Sequence, residues 1–534
     1  MYSKLQEPRS WLLTEALREA AARRPEASWL TDSDGSSLTF GGALSHSLRA
    51  AGYLERLGVR RGDRVGVFMF NDCAFATAWL GVGHLAATAV FLNTELRSSF
   101  LRHQLNDSAI SCIVVHAGLL DALAEIANEV PQMRTVIVVG GGAGDSEGSA
   151  LPSQWQVFGW PDWQNQPDWD RPGPAAEDIA CIMYTSGTSG PSKGVLMPHA
   201  HCALYGIGAI ECLQITSEDR YYISLPLFHA NGLFMQLGAT LLAGIPAFVR
   251  RRFSASNWLS DIREHRSTLT NLLGATAGFI FNQPPTPDDR DHMLRAVLSA
   301  PNLDDHEAQF RKRFGVRDVV SGFGMTEVNI PVWGRLGQSV PGAAGWTHEA
   351  HFEVRIAHPD TDEPLAADQM GEIQVRPKIP FGFMAGYFNA PEKTVEAWRN
   401  LWFHTGDAGV MRTDGLVTFI DRIKDCIRRR GENISATEVE AVVAVLPGVD
   451  EVAAYAVPSD VPGAEDEVML ALVAKSGAVI DLANVLQEAT GKLPRFAKPR
   501  YAKLVQALPK TATGKVQRAV LRKEGVVGAL DGSA

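Results

Sequence analysis

Apolar positions over the first 420 residues fall into two alternating rhythms. Short β-branched runs, RVGVFMF (64–70), ISCIVV (110–115), TVIVVG (135–140) and IACIMYT (179–185), are each followed by a turn and then by helix-forming sequence. Compact apolar runs separated by helical patterns predict α/β layers with mostly parallel strands. The first residues, MYSKLQEPRSWLLTEALREAAARR, carry acids throughout and no long apolar run, so they read as an amphipathic helix and not as a signal peptide. Two stretches lack Asp, Glu, Lys and Arg: 22 residues between Asp72 and Glu95, and 29 between Arg220 and Arg250. Each is punctuated by His, Gly, Thr, Pro or Asn, which fits a buried helix followed by a buried strand better than a membrane span. GGGAGDSEGSALPS (140–153) reads as a surface loop, and no repeat of solenoid period is present.

The pattern breaks near Asp421–Lys424. Before it, DGLVTFIDR predicts a hairpin strand after the Asp414-Gly415 turn. After it comes a shorter unit with two more strand candidates, EVAAYAVP and EVMLALVA. The expected fold class is therefore α/β: a large N-terminal domain of layered sheets and helices, with a small α+β C-terminal domain.

Composition narrows the class of function. The 534 residues include 50 Lys plus Arg against 60 Asp plus Glu, a net charge of -10, with 46% apolar residues. A globular, acidic chain of this kind is not expected to bind nucleic acid or an anionic membrane, and no integral membrane segment is expected. Six cysteines without C-x-x-C spacing argue against a disulfide framework or structural zinc site and favour a cytoplasmic setting. Charge is segregated beyond residue 421. Residues 422–430 hold five basic residues and one acid, 432–490 eleven acids and one lysine, and 491–523 ten basic residues and no acid.

The strongest local chemical signal is Tyr184-Thr-Ser-Gly-Thr-Ser-Gly-Pro-Ser-Lys193-Gly194, directly after a strand candidate. Its glycines allow close backbone approach, its hydroxyls donate hydrogen bonds, and Lys193 supplies positive charge, a composition suited to wrapping a phosphate chain. The spacing is not that of a Walker A loop.

This loop resembles the phosphate-binding signature of the adenylate-forming (ANL) superfamily, which includes acyl-CoA synthetases, luciferases and peptide-synthetase adenylation domains. SGFGMTE (321–327), LWFHTGD (401–407), DRIKDCIRRRGENIS (421–435) and PKTATGKVQR (509–518) resemble further motifs of that family, in the right order. The carnitine/crotonobetaine-CoA ligase branch looks most similar. The resemblance implies the ANL fold, with residues 1–421 as the adenylation domain, 422–424 as a hinge and 425–534 as a small mobile domain.

It also implies roles. Thr185, Ser186, Gly187, Thr188 and Lys193 would bind the ATP phosphates. Gly322, Phe323 and Gly324 would form the adenine shelf, with Phe323 in place of the commoner tyrosine. Thr326 would donate to the α-phosphate and Glu327 would help hold Mg²⁺, a hard cation that takes oxygen ligands. Asp407 would accept the ribose hydroxyls, beside Arg422. His229, in LPLFHANGL, would stand at the mouth of the acyl pocket, and Lys424 would be the hinge residue. Arg430 and Gly431 would lie on the path of coenzyme A. Lys515 would be the catalytic lysine, bridging carboxylate and α-phosphate oxygens as charge redistributes. Leu298-Ser-Ala-Pro-Asn302 stands where many relatives have a Gly-Gly-Ala-Pro-like turn, a departure that weakens inference about the acid.

The implied reaction is two-step: a carboxylic acid and ATP give an acyl-adenylate and pyrophosphate, and coenzyme A then gives acyl-CoA and AMP. A different acceptor is the alternative, with a carrier protein in trans, amide formation, or activation of a nitrite-type acid for nitrogen–nitrogen bond formation. Trp333, Phe323, Phe234 and Met235 are candidates for lining an apolar pocket. The partner is a small carboxylic acid, and the protein itself is expected to be a monomer or homodimer.

Overall fold

The structure, a computed structural model, describes residues 1–140, 151–185, 191–300, 307–359, 361–422, 427–429, 432–434, 436–461, 465–509, 516 and 518–533. Seven of the expected site residues, Ser186, Gly187, Thr188, Lys424, Arg430, Gly431 and Lys515, lie outside these, as does most of the 140–153 loop. The chain divides into two compact units. One comprises Met1–Thr94, Leu105–Tyr184 and Gly194–Asp421; the other comprises Glu95–Gln104, Thr185–Lys193 and Arg422–Ala534.

The four apolar runs become the strands Arg64–Phe68, Cys112–His116, Thr135–Val139 and Ile179–Thr185. They belong to one sheet, in which Thr88–Phe91 pairs in parallel with both Arg64–Phe68 and Ile179–Thr185. A second sheet carries the parallel strands Tyr221–Ile223, Ala247–Val249, Leu269–Leu273, Ala296–Ala300 and Asp318–Val320. Both uncharged stretches are buried as expected. The first gives the helix Cys73–His84 and then Thr88–Phe91; the second runs strand, helical segment, strand. Asp72 caps the first helix by accepting from the Phe75 amide at 2.6 Å. Gly81 lets that helix approach the helix Phe40–Arg56, since a Cβ there would sit 2.9 Å from Ala50 Cβ. No helix among the described residues is long and apolar enough to cross a membrane.

Two expectations change. The N-terminal helix is shorter than its pattern, Leu13–Arg23, because Pro8 opens a separate 3₁₀ turn at Pro8–Ser10. Between residues 322 and 422 the sheet is not parallel. Gly322–Met325, Asn329–Trp333, Gly345–Thr347, Leu416–Arg422, Phe403–Met411, Met370–Pro377 and Phe352–Ala357 form, in that order, an antiparallel sheet. Most connections here are hairpins and loops, although the link from Met370–Pro377 to Phe403–Met411 carries the helix Pro391–Ala397, and antiparallel neighbours need no crossover helix.

The second unit holds the strands Val449–Val457, Glu467–Ala474, Tyr501–Leu504 and Leu530–Asp531 in one sheet, with Tyr455, Met469 and Leu521 in its core. Four of its basic residues among those described are paired with acids. Arg429 is buried, bonds the carbonyls of Lys498 and Phe496, and pairs with Glu467 at 2.6 Å. Arg500 pairs with Asp460 and Asp531, Lys503 with Glu524, and Arg518 with Glu440. These four cations neutralise acids drawn largely from the 432–490 stretch. The segregation along the chain is thus partly undone by folding.

Three histidines in the first unit are buried and kept neutral. Burial lowers His199 and His201 to about 4 and His84 to about 3. In the unfolded chain all three titrate near 6.5, so the unfolded state binds protons first as pH falls. Their stabilising contribution is complete above pH 6.5 and is lost progressively toward pH 4, at about 3 kcal/mol each for His199 and His201. Urea melts between pH 7.5 and 4.5 should show this loss. The slope should be shallower in His201→Gln, and an unchanged slope would remove His201 from the account.

Candidate functional site

The hairpin Gly322–Met325/Asn329–Trp333 carries the residues expected to form an adenine shelf, Gly322, Phe323 and Gly324. Phe323 pairs with Val332 across the ladder, and a bulge follows before Met325 pairs with Asn329. The bulge brings Gly324 against its partner strand so closely that a Cβ would lie 2.2 Å from the Asn329 carbonyl oxygen and 2.9 Å from Ile330 Cα. Those are backbone atoms and cannot step aside. Gly324→Ala should therefore cost about 1–3 kcal/mol and weaken nucleotide binding as the strand shifts. Thermal melts with and without ATP check both effects. The Phe323 ring is 7% exposed and stacks on Phe419 with centroids 6.0 Å apart.

After the bulge the chain turns through Thr326 and Glu327. The helix His199–Leu213 holds this turn from one side. His201 Nε2 donates to the Thr326 carbonyl at 2.9 Å, and the Tyr205 hydroxyl donates to the Met325 carbonyl at 2.9 Å. Asn329 Nδ2 returns a bond to the His201 carbonyl at 2.9 Å. Glu327 is 4% exposed; its Oε1 accepts from the Tyr387 hydroxyl at 3.0 Å, and its own carbonyl accepts from the Met384 amide at 3.1 Å. A hydrogen bond to a charged group is worth about 1.5–3 kcal/mol, enough to orient a buried carboxylate.

Asp407 lies in the strand Phe403–Met411 and is 3% exposed. As an isolated tripeptide, Thr-Gly-Asp reads as a turn. It is instead a bulge inside a strand, opposite Ile373, where the register shifts between the pairs Glu372–Ala408 and Gln374–His404. Gly406 takes a positive φ of 72°, and its amide donates to Glu372 Oε1 at 2.9 Å. Thr405 Oγ1 donates to the Ile373 carbonyl at 2.6 Å and accepts from the Asp407 amide at 3.1 Å. Glu372 in turn bonds His404 Nδ1 at 2.7 Å through its other oxygen.

His229 sits at the start of a π-helical segment, Asn231–Gly238; its carbonyl accepts from the Leu233 amide at 3.0 Å, and its ring packs on Phe228. Such segments are rare and concentrate at functional sites. Phe234 is buried among Trp79, Phe91 and Tyr205, while Met235 and Trp333 are buried in the same core.

Thr185 ends the strand Ile179–Thr185, and Lys193 begins the neighbouring strand Lys193–Pro198, so both ends of the glycine-rich segment are anchored in a sheet. The Ser192 carbonyl accepts from His103 Nε2 at 2.8 Å. Arg422 closes the strand Leu416–Arg422.

Sequence reasoning missed the supports: His201, Tyr205, Tyr387 and Glu372. His201 and Tyr205 carry a usable signal, being four apart on one helix face. Tyr387 and Glu372 have none, because each acts across a distance that only folding closes.

Comparison with known proteins settles the family. The AMP-binding enzyme model matches residues 17–388, and the AMP-binding enzyme C-terminal domain model matches residues 438–515. The chain belongs to the AMP-binding enzyme family. Among its relatives, the crotonobetaine/carnitine–CoA ligase of Salmonella paratyphi A is 28% identical over 479 residues, spanning 88% of this chain and 90% of the relative. The long-chain fatty acid transport protein 1 of Mus musculus is 28% identical over 532 residues, spanning 95% and 81%. A solved o-succinylbenzoate CoA synthetase from Bacillus subtilis shares the fold at a TM-score of 0.79 and 24% identity, covering 95% of this chain and 98% of that one. The layered sheets and separate C-terminal unit of this AMP-binding enzyme are those of the adenylate-forming fold.

Proposed function

We propose that this AMP-binding enzyme is an ATP-dependent acid–CoA ligase that activates a small carboxylic acid as its adenylate and transfers the acyl group to coenzyme A. The observation that carries the reading is Glu327, a buried carboxylate oriented by Tyr387 one residue beyond Thr326 and three beyond a glycine that excludes any side chain. A carboxylate fits Mg²⁺, which prefers oxygen ligands and keeps part of its coordination for phosphate and water. Bound there, Mg²⁺ would screen the phosphate charge. Asp407, an acceptor-only group when ionised, fits a ribose diol. Relatives named as CoA ligases support coenzyme A as the acceptor.

In the first step the carboxylate of the acid attacks the α-phosphorus of ATP and pyrophosphate leaves. Thr326 would donate to the α-phosphate, its backbone held by His201. Lys193 and the glycine-rich segment (Thr185, Ser186, Gly187, Thr188) would cradle the other phosphates, and Arg422 would face the ribose. Lys515 would stabilise the charge that spreads over the five-coordinate phosphorus. The chemical gain is activation: a carboxylate is a poor acyl donor, and a mixed anhydride with AMP has a good leaving group. In the second step residues 425–534 would turn about Lys424, withdrawing Lys515 and presenting Arg430 and Gly431 along the coenzyme A path. His229 would guard the acyl mouth, and exclusion of water would limit hydrolysis of the adenylate.

A pyrophosphate-release screen over carboxylic acids, including betaines, fatty acids and substituted benzoates, tests the first step. Mass spectrometry of the products with coenzyme A present tests the second. Pyrophosphate release with no thioester formed would overturn coenzyme A as the acceptor; no release with any acid would overturn the ligase reading itself.

A further inference from the structure

Away from the nucleotide residues, two imidazoles and a carboxylate converge on one point of the first unit. Glu211 lies in the last turn of the helix His199–Leu213. His348 follows the strand Gly345–Thr347, and His351 precedes the strand Phe352–Ala357. Nε2 of His348 lies 2.7 Å from Glu211 Oε2, and Nε2 of His351 lies 3.2 Å from the same oxygen. All three atoms fall within 4.8 Å of one another. The rings stand edge to face, with centroids 4.5 Å apart and planes at 89°. Two nitrogens therefore address one oxygen from different directions, as ligands around a small ion do.

The frame is rigid. The His348 amide donates to the Pro331 carbonyl at 2.8 Å, and the amides of His351 and Phe352 both donate to the His348 carbonyl at 3.0 Å. The His351 carbonyl accepts from the Lys378 amide at 2.8 Å, and Trp11 packs edge-on against the His351 ring at 5.8 Å. His351 Nδ1 is buried and makes no hydrogen bond among the described residues, so Nε2, facing Glu211, is that ring's polar contact. Burial would raise the Glu211 carboxyl, but hydrogen bonds from His348 and His351 outweigh it and hold the group down at about 2.

We propose that Glu211, His348 and His351 form a binding site for a divalent transition-metal ion of the Zn²⁺ class, clamping the helix His199–Leu213 to the turn 348–351. Tetrahedral Zn²⁺ with bonds of about 2.0–2.1 Å places neighbouring ligand atoms about 3.3 Å apart. The two Nε2–Oε2 separations, 2.7 and 3.2 Å, are both somewhat shorter than that spacing, so small outward side-chain movements would admit the ion. Imidazole and carboxylate donors suit Zn²⁺, Ni²⁺ or Cu²⁺, and the two nitrogens disfavour Mg²⁺. Glu211 is 36% exposed, against 13% for His348 and 9% for His351 side chains, which leaves a path for the ion and a position for water. Ten residues of helix, about 15 Å, separate Glu211 from His201, which holds the Thr326 carbonyl. The site is therefore distinct from Glu327 but mounted on the same helix. The cysteine pattern, which speaks only to thiolate sites, carries no information about it.

The cluster Asp362, Glu372 and His404 meets the same distance criterion but is already committed. Its oxygens accept from Gly406, Gln374 and Asn400, and it supports the Asp407 bulge.

The test is Zn²⁺ titration of the full-length protein after chelator treatment, by calorimetry and by competition with a chromogenic chelator, in the presence of excess Mg²⁺. Wild-type protein is expected to bind one Zn²⁺ that His348→Gln and Glu211→Gln bind about 100-fold or more weakly. Zn²⁺ should also raise the melting temperature of wild type and not of the variants. Both changes are at the more exposed side of the cluster, and melts without metal report whether each variant is folded. Equal Zn²⁺ affinity and equal thermal shift in wild type and both folded variants, or no binding by wild type, would overturn the proposal.

Discussion

Lys515→Ala is expected to lower the rate of acid-dependent pyrophosphate exchange by about 10²–10³-fold. The expectation follows from where charge develops. At the five-coordinate phosphorus, negative charge spreads over oxygens that come from both the attacking carboxylate and the α-phosphate, and a positioned ammonium between them is worth more there than in the ground state. The loss should therefore fall on kcat, with a smaller change in KM for ATP. A lysine in a different place cannot substitute, since a displacement of a few ångströms into higher dielectric removes most of the gain. The second step provides the control. Thioester formation from a supplied acyl-adenylate and coenzyme A should be nearly unchanged in the variant, because in the proposed mechanism Lys515 would be withdrawn by then. Equal losses in both half-reactions would show that the substitution disturbs the small domain as a whole, and full exchange activity would remove Lys515 from catalysis.

Asp407→Asn should act on a different parameter. A carboxylate accepting two ribose hydroxyls makes two charge-assisted hydrogen bonds, about 1.5–3 kcal/mol each. The asparagine is isosteric, and the bulge that carries it is held by the Glu372–Gly406 and Thr405–Ile373 bonds, which the substitution leaves alone. The proposed ribose contact would be made in ground and transition states alike, so KM for ATP should rise by about 10²-fold with a modest effect on kcat. The sharper measurement uses the nucleotide. Wild type should discriminate against 2′-deoxy-ATP by about 10–100-fold in kcat/KM. Asp407→Asn should discriminate much less, because the bond that reports the hydroxyl is already weakened. Unaltered discrimination would move the ribose contact to another residue.

The two predictions rest on residues of unequal visibility. Asp407 and Lys515 are both named by short motifs, yet only Asp407 lies among the described residues. Its structural setting corrected the local reading: three residues with turn-forming character form a bulge within the strand Phe403–Met411, because Gly406 can take a positive φ and Glu372 offers its amide an acceptor. Phe234, Met235 and Trp333 are apolar and buried. Hydrophobic patterning reports which side chains leave water, and it is silent on whether a ligand or a neighbouring helix receives them.

The sequence alone determined what local order carries. Apolar runs of strand length located four parallel strands, because a strand covered on both faces must be apolar at every position. Spaced motifs such as SGFGMTE and WFHTGD carried the resemblance to the family, which names candidate nucleotide residues. Tertiary structure decided what depends on non-local pairing. The antiparallel sheet after residue 321, the hold of His201 and Tyr205 on the Thr326 turn, and the bond from Tyr387 to Glu327 join residues up to 125 positions apart. The cations of the second unit show the same limit. Their clustering along the chain was plain, but Arg429, Arg500, Lys503 and Arg518 meet acids that the fold brings to them. A charge lowers its energy most by pairing at short range, and only the folded chain sets which charges are near.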